Sequence, residues 1–149
     1  MRRPVKPQCP SRKFESDSEP NVPPRVQRIY HISDVHVRLY DRRVEYETVL
    51  QELLAFIRAD ASPSAMIVLT GDVMHTKNTL SPESLAFVCR MLRSLADLHP
   101  IFVIAGNHDM LLHHSDCLDS ITPIVDALNH PSLHCVSRTH TVMLPLMLS

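Results

Sequence analysis

Glycine is scarce in this chain: two residues in 149, Gly71 and Gly106. An average chain of this length carries about ten. Where glycine is this rare, each one marks a place where the backbone turns sharply or something approaches it closely. The four cysteines, Cys9, Cys89, Cys117 and Cys135, are widely spaced and form no C-x-x-C pair. That argues against a zinc knuckle or a disulfide framework and for free thiols in a reducing compartment, hence an intracellular protein, cytoplasmic or nuclear. No apolar run approaches the ~20 residues of a membrane span, so no membrane association is expected. Arg2, Arg3 and Lys6 are not followed by an apolar stretch, which excludes a secretory signal, and Glu15, Asp17 and Glu19 argue against an organelle-targeting segment. The net charge of −1 gives no global basic signal for nucleic acid. A nucleic-acid substrate stays open, because metal ions can supply positive charge locally.

What is present fits one soluble globular domain, with 44% hydrophobic and 21% charged residues. Residues 1–25 are polar and carry Pro4, Pro7, Pro10, Pro20, Pro23 and Pro24, so a disordered tail is expected there. From Val26 the chain alternates. Val26 to Ser33 reads as a strand. Asp41 is placed to cap a helix whose apolar face is Tyr46, Val49, Leu50, Leu53, Leu54 and Ile57. Ala61-Ser62-Pro63-Ser64 breaks that helix. Met66 to Thr70 is a second strand. Ser81-Pro82-Glu83 supplies a capping serine, a proline at the first helical position and an acid in the first turn. Leu85, Val88, Leu92, Leu95 and Leu98 continue this second helix to His99-Pro100. Ile101 to Ala105 is a third strand. Thr122-Pro123 opens a short helix that Asn129-His130-Pro131 ends, and Leu133–Val136 and Val142–Leu148 look strand-like. Each repeat takes about 35 residues, the size of a right-handed βαβ crossover, so three parallel strands in an α/β fold are expected.

Ligands of such sheets gather at the carboxyl ends of the strands. The unusual polar residues fall at those ends: Asp34-Val35-His36, then Gly71-Asp72, then Gly106-Asn107-His108-Asp109. Asp34 and His36 lie two apart and share a face if strand geometry persists. Singly, Asp34 reads as a turn residue, Asp72 as a cap, and His36 or His108 as a hydrogen-bonded structural histidine. Three such motifs at successive strand ends read better as one metal site. Oxygen and nitrogen donors without thiolate suit manganese, iron or zinc. Asp72, central among the three, is placed to bridge two ions, which can clamp the attacking and leaving oxygens of a phosphoester displacement. His75 either steers a substrate or is an ordinary loop histidine, and His113-His114 reads as a solvated pair. Ser115, Ser120 and the cysteines have no base at suggestive spacing, so a covalent nucleophile is discounted.

These motifs resemble the calcineurin-like metallophosphoesterase superfamily, over roughly residues 28–136. Within it, Gly71-Asp72-Val73-Met74-His75 followed by Ser81-Pro82-Glu83-Ser84 looks like the SbcD-type DNA double-strand-break repair nucleases. The Asp-Arg-Gly of the protein Ser/Thr phosphatases is absent. The resemblance implies the N-terminal part of a two-sheet α/β sandwich and a metal-dependent phosphoric ester hydrolase of the DNA repair nuclease type. It implies two divalent ions, with manganese first and iron or zinc as alternatives. Asp34 and His36 would hold the first ion, Asp72 would bridge, and Asn107 would bind the second. His108 would act as a catalytic residue at the phosphate, with Asp109 orienting it and metal-activated water as nucleophile. The implied partners are a phosphoester substrate such as DNA, a second copy of the chain and an ATPase.

The family carries further ligands in Gly-His and Gly-His-x-His motifs, and this chain has no glycine after Gly106. His130, His134 and His140 stand in the wrong context to replace them. The expectation is therefore a domain over residues 26–149 truncated at its C-terminus. An inactive phosphoesterase-like module that binds a partner or nucleic acid is the alternative, and a half-sandwich unable to fold alone is a third reading.

Overall fold

The apolar runs between the polar motifs become the strands of one sheet. The computed structural model describes residues 26–60, 62–76, 80–110 and 118–136. The expected tail at residues 1–25 and the strand at Val142–Leu148 lie outside them, as do Lys77, Asn78, His113, His114 and His140. The order is β1 (Arg28–Ile32), a 3-10 turn (Tyr40–Arg42), α1 (Arg43–Asp60), β2 (Ala65–Thr70), α2 (Pro82–Ala96), β3 (Ile101–Ile104), α3 (Thr122–Leu128) and β4 (Leu133–Cys135). All four strands are parallel and lie in sequence order, β1-β2-β3-β4. The three expected strands are there, and β4 extends them at the β3 edge. This is an α/β fold consistent with the N-terminal part of a metallophosphoesterase.

Register explains which residues meet. Tyr30, Ile67, Ile101 and Leu133 form one row across the sheet, and Ile32, Leu69, Val103 and Cys135 form the next row on that face. These side chains share one core with Leu50, Leu54 and Ile57 of α1, Phe87, Val88, Leu92 and Leu95 of α2, and Ile124 and Val125 of α3. Alternate residues point the other way, and that face is more open, with Ile29 and Ile104 exposed.

The helices start and stop where the sequence says, with instructive exceptions. The Ser81 hydroxyl accepts from the Ser84 backbone N–H at 3.1 Å, with Pro82 at the first helical position. Asn129 closes α3 in the left-handed region at φ 44°. Asp41, expected as a cap, falls instead inside the 3-10 turn, and α1 begins two residues later. Val49 of α1 and Leu85 of α2, both assigned to apolar faces, are exposed, while Phe87 and Met91 are buried. No helix among the described residues is long and apolar enough to cross a membrane.

Candidate metal centre

The carboxyl ends of β1, β2 and β3 lie side by side, so the loops leaving them meet above the sheet edge. The first two loops are stitched together by backbone bonds. Asp34 N–H donates to Gly71 O, His36 N–H to Asp72 O at 2.9 Å, and Val37 N–H to Val73 O at 2.8 Å. Val37 and Met74 pair as an isolated parallel bridge, which prolongs the β1–β2 register past the strands.

Strand geometry itself does not persist to Asp34 and His36. β1 ends at Ile32, and both residues take left-handed backbone, φ 56° and 46°. Asp72 does the same at φ 52°, after Gly71 at 82°. Each non-glycine residue there costs about 1–2 kcal/mol, so the surrounding bonds must hold it. The expected shared face of Asp34 and His36 is thus replaced by a loop that brings the two side chains together another way.

Asp34 Oδ1 lies 3.7 Å from His36 Nε2, and Asp72 Oδ2 lies 4.0 Å from the same nitrogen. Those gaps are too long for hydrogen bonds. They suit two donors touching one ion, since ligands at about 2.1 Å from a metal are at most about 4.2 Å apart. His36, Asp72 and His108 each offer a donor atom within 4.8 Å of the others. The other nitrogen of His36, Nδ1, is buried without a hydrogen-bond partner among the described residues. Two imidazoles and carboxylates, with no thiolate, fit a borderline or hard divalent ion. The Ser33 hydroxyl donates to Asp34 Oδ2, leaving Oδ1 toward His36. The His108 backbone N–H donates to Asp72 Oδ1 at 2.9 Å, leaving Oδ2 toward His36.

The third loop brings His108 beside that group, and both His108 and its neighbour Asn107 are exposed. His108 Nδ1 lies 3.2 Å from the His75 carbonyl oxygen. A carbonyl only accepts, so in the neutral ring Nδ1 carries the proton and Nε2 the lone pair. The rings of His36 and His108 are 4.8 Å apart, and His75 closes the group at 5.9 Å from His36 and 6.4 Å from His108. His75 therefore borders the centre.

Asp109, expected to orient His108, has its carboxylate bonded elsewhere. Its side chain is buried, and its carboxylate is held by three backbone N–H groups: Gly106 at 2.9 Å, Met74 at 3.0 Å and Val73 at 3.2 Å. In the turn 107–109 the carboxylate folds back onto Gly106 and reaches across to the β2 loop. It ties two ligand-bearing loops together from beneath. Nothing in the sequence marks Tyr46 either, whose hydroxyl donates to the His36 carbonyl at 2.8 Å. It reads there as one more apolar residue of α1.

Away from the centre, burial lowers the pKa of His99 and raises that of Cys135. Cys89 and Cys135 are free thiols, as the cysteine spacing predicts.

One relative, an uncharacterized protein of Acanthamoeba polyphaga mimivirus, is 34% identical over 115 residues. The match covers 76% of this chain and 8% of that protein, so the chain spans less than a tenth of its relative's length. The model of the calcineurin-like phosphoesterase family matches residues 27–139, a span that takes in all four strands and every donor named above; this chain belongs to that family.

Proposed function

We propose that this domain hydrolyses phosphoester bonds with the help of divalent metal ions, manganese foremost, and that its substrate is a phosphodiester of DNA. The observation that carries the hydrolase reading is the gathering of His36, Asp72 and His108 donor atoms within 4.8 Å of one another. Membership of the phosphoesterase family supports it. The DNA reading is the finer one. It is supported by the likeness of Gly71–His75 and Ser81–Ser84 to DNA-break-repair nucleases.

Asp34 and His36 would hold one ion, Asp72 would face both positions and Asn107 would face the second. Such ions supply Lewis-acid polarisation of the phosphate and an activated water at neutral pH. The chain's residues do the positioning. The His108 N–H fixes one oxygen of Asp72 and so aims the other at the His36 side. Asp109 fixes the separation of the loops that carry Asp72 and His108. His108 Nε2 would, once protonated, meet negative charge developing on a phosphate and give that proton to a leaving oxygen.

The test is Mn2+-dependent hydrolysis of bis(p-nitrophenyl) phosphate, with single- and double-stranded DNA in parallel. Activity is expected to vanish with chelator and in Asp72→Asn. A folded chain that binds Mn2+ by calorimetry and cleaves none of these sinks the hydrolase reading. One that cleaves the small diester and leaves both DNAs intact sinks the DNA reading alone.

A further inference from the structure

The stretch that links the centre to α1 alternates guanidinium and phenol: Arg38, Tyr40, Arg42. With His36, Tyr46 and His75 these residues line a cleft of about 490 Å³. Among the described side chains, no carboxylate lines it. Tyr40 is 73% exposed, and the Arg38 guanidinium lies 5.5 Å from its ring centroid. Arg42 lies 5.9 Å from the Tyr46 ring, and Glu45 grips it from outside the cleft through Nε at 2.7 Å. Arg42 is therefore offset electrically, whereas Arg38 makes no ion pair among the described side chains.

We infer that this cleft is a docking surface for single-stranded nucleic acid, in which Arg38 takes a backbone phosphate and the Tyr40 ring stacks on an unpaired base. The inference rests on the DNA reading above for the choice of polymer. The chemistry of the cleft supports it independently. An exposed ring offers a flat apolar face to any base, and stacking of this kind is indifferent to sequence. A guanidinium beside it supplies the charge that a polyanionic strand needs and the geometry that a phosphate fits. A ring on the wall of a narrow cleft reaches a base only when that base is not paired in a duplex. The cleft also leads somewhere. His36 and His75 form its inner end, and both border the donor cluster, so a strand lying along Tyr40 and Arg38 runs into the metal centre.

The experiment is a fluorescence anisotropy titration of fluorescein-labelled oligothymidylate with the 149-residue chain, in chelator so that no strand is cut. Tyr40→Ala and Arg38→Ala are each expected to weaken binding about tenfold. Arg38→Ala also lowers the slope of log affinity against log salt by about 0.7. Tyr40→Trp keeps or strengthens binding, which a merely structural role for the ring would not produce. The inference is overturned if the wild-type chain does not bind the oligonucleotide. It is equally overturned if both alanine variants bind as wild type does, or if a duplex of the same length binds as tightly. Failure here and failure of the hydrolase reading are distinguishable, because binding is read without turnover. A chain that binds the strand and hydrolyses nothing keeps this inference and loses the other. A chain that hydrolyses the small diester and binds no strand does the reverse.

Discussion

Gly71 and Gly106 stand back to back: a Cβ on Gly71 would lie 2.6 Å from the Gly106 Cα. A Cβ on Gly106 would lie 2.2 Å from Asp72 Oδ1 and 2.3 Å from the Asp72 backbone nitrogen. The space a side chain would fill at Gly106 is thus the space that the Asp72 carboxylate occupies. Gly71 has a second constraint, its left-handed φ of 82°. The chain's only glycines are therefore one feature: the contact that lets the β2 and β3 loops close on each other and present Asp72 to His36.

Gly106→Ala should then damage metal binding out of proportion to stability. The added methyl must push Asp72 aside, so Mn2+ affinity is expected to fall about 10- to 100-fold, the range seen when the groups that position metal ligands are lost. Overpacking costs about 1–3 kcal/mol of stability. Calorimetric titration with Mn2+ alongside a thermal melt measures both. Unchanged affinity in a folded variant would show that Asp72 does not ligate.

Asp109 and His108 are neighbours with opposite expected phenotypes. Asp109→Ala strands the buried N–H groups of Val73 and Met74 and the part-buried one of Gly106, and should cost about 3 kcal/mol. Against a typical total of about 5–15 kcal/mol that is a large share. Hydrogen exchange at those three amides should accelerate most. His108→Ala alters an exposed side chain, so its unfolding free energy in urea should stay within about 0.5 kcal/mol of wild type while phosphodiester hydrolysis falls. If Asp109 acted through the imidazole instead, the two variants would share the catalytic loss and neither would unfold early.

These contrasts mark how far the sequence could be read. The strands and the placement of three polar motifs at their ends were legible, because apolar runs of strand length and rare glycines are local signals. The way Asp34 and His36 meet was not. Two left-handed residues on either side of Val35 are held by backbone bonds to Gly71 and Asp72, nearly forty positions away in sequence, and no pattern in Asp-Val-His announces them. The bonding of Asp109 was hidden for a related reason. The family resemblance implies that it orients His108, while a turn folds the carboxylate back on Gly106 and across to Val73 and Met74. On α2, periodicity found Val88, Leu92 and Leu95 but missed Phe87 and Met91 and wrongly buried Leu85. Which stripe of a helix with apolar residues on several sides faces the sheet is settled by packing, not by spacing alone.

His99 gives the fold a pH dependence of predictable sign. It is partly buried against the Tyr30 ring, centroids 5.9 Å apart, and burial lowers its pKa from an ordinary value of 6.5, with Asp60 opposing by a smaller amount. Between the lowered value and 6.5 the unfolded chain therefore holds more protons than the folded one, so stability rises with pH through that window. Urea midpoints at pH 7.5 and 5.5 should show a loss on acidification that His99→Phe, which keeps a ring against Tyr30, makes smaller. An equal loss in the variant would assign the pH dependence to other groups.

The His75 carbonyl fixes which nitrogen of the neutral His108 ring carries the proton. At 3.2 Å from that oxygen, Nδ1 must be the donor, so the neutral ring is the Nδ1–H tautomer and Nε2 carries the lone pair. Long-range 1H–15N correlation spectra of the metal-free chain at pH above 7.5 should show His108 with a pyrrole-type Nδ1 and a pyridine-type Nε2. The Nε2–H form would mean that the carbonyl does not accept from the ring, and Nε2 could then neither ligate nor take a proton without first losing its own. With Nδ1 protonated, Nε2 needs no such rearrangement, and the bond that holds the His108 imidazole runs to the backbone of His75 rather than to the carboxylate next door in sequence.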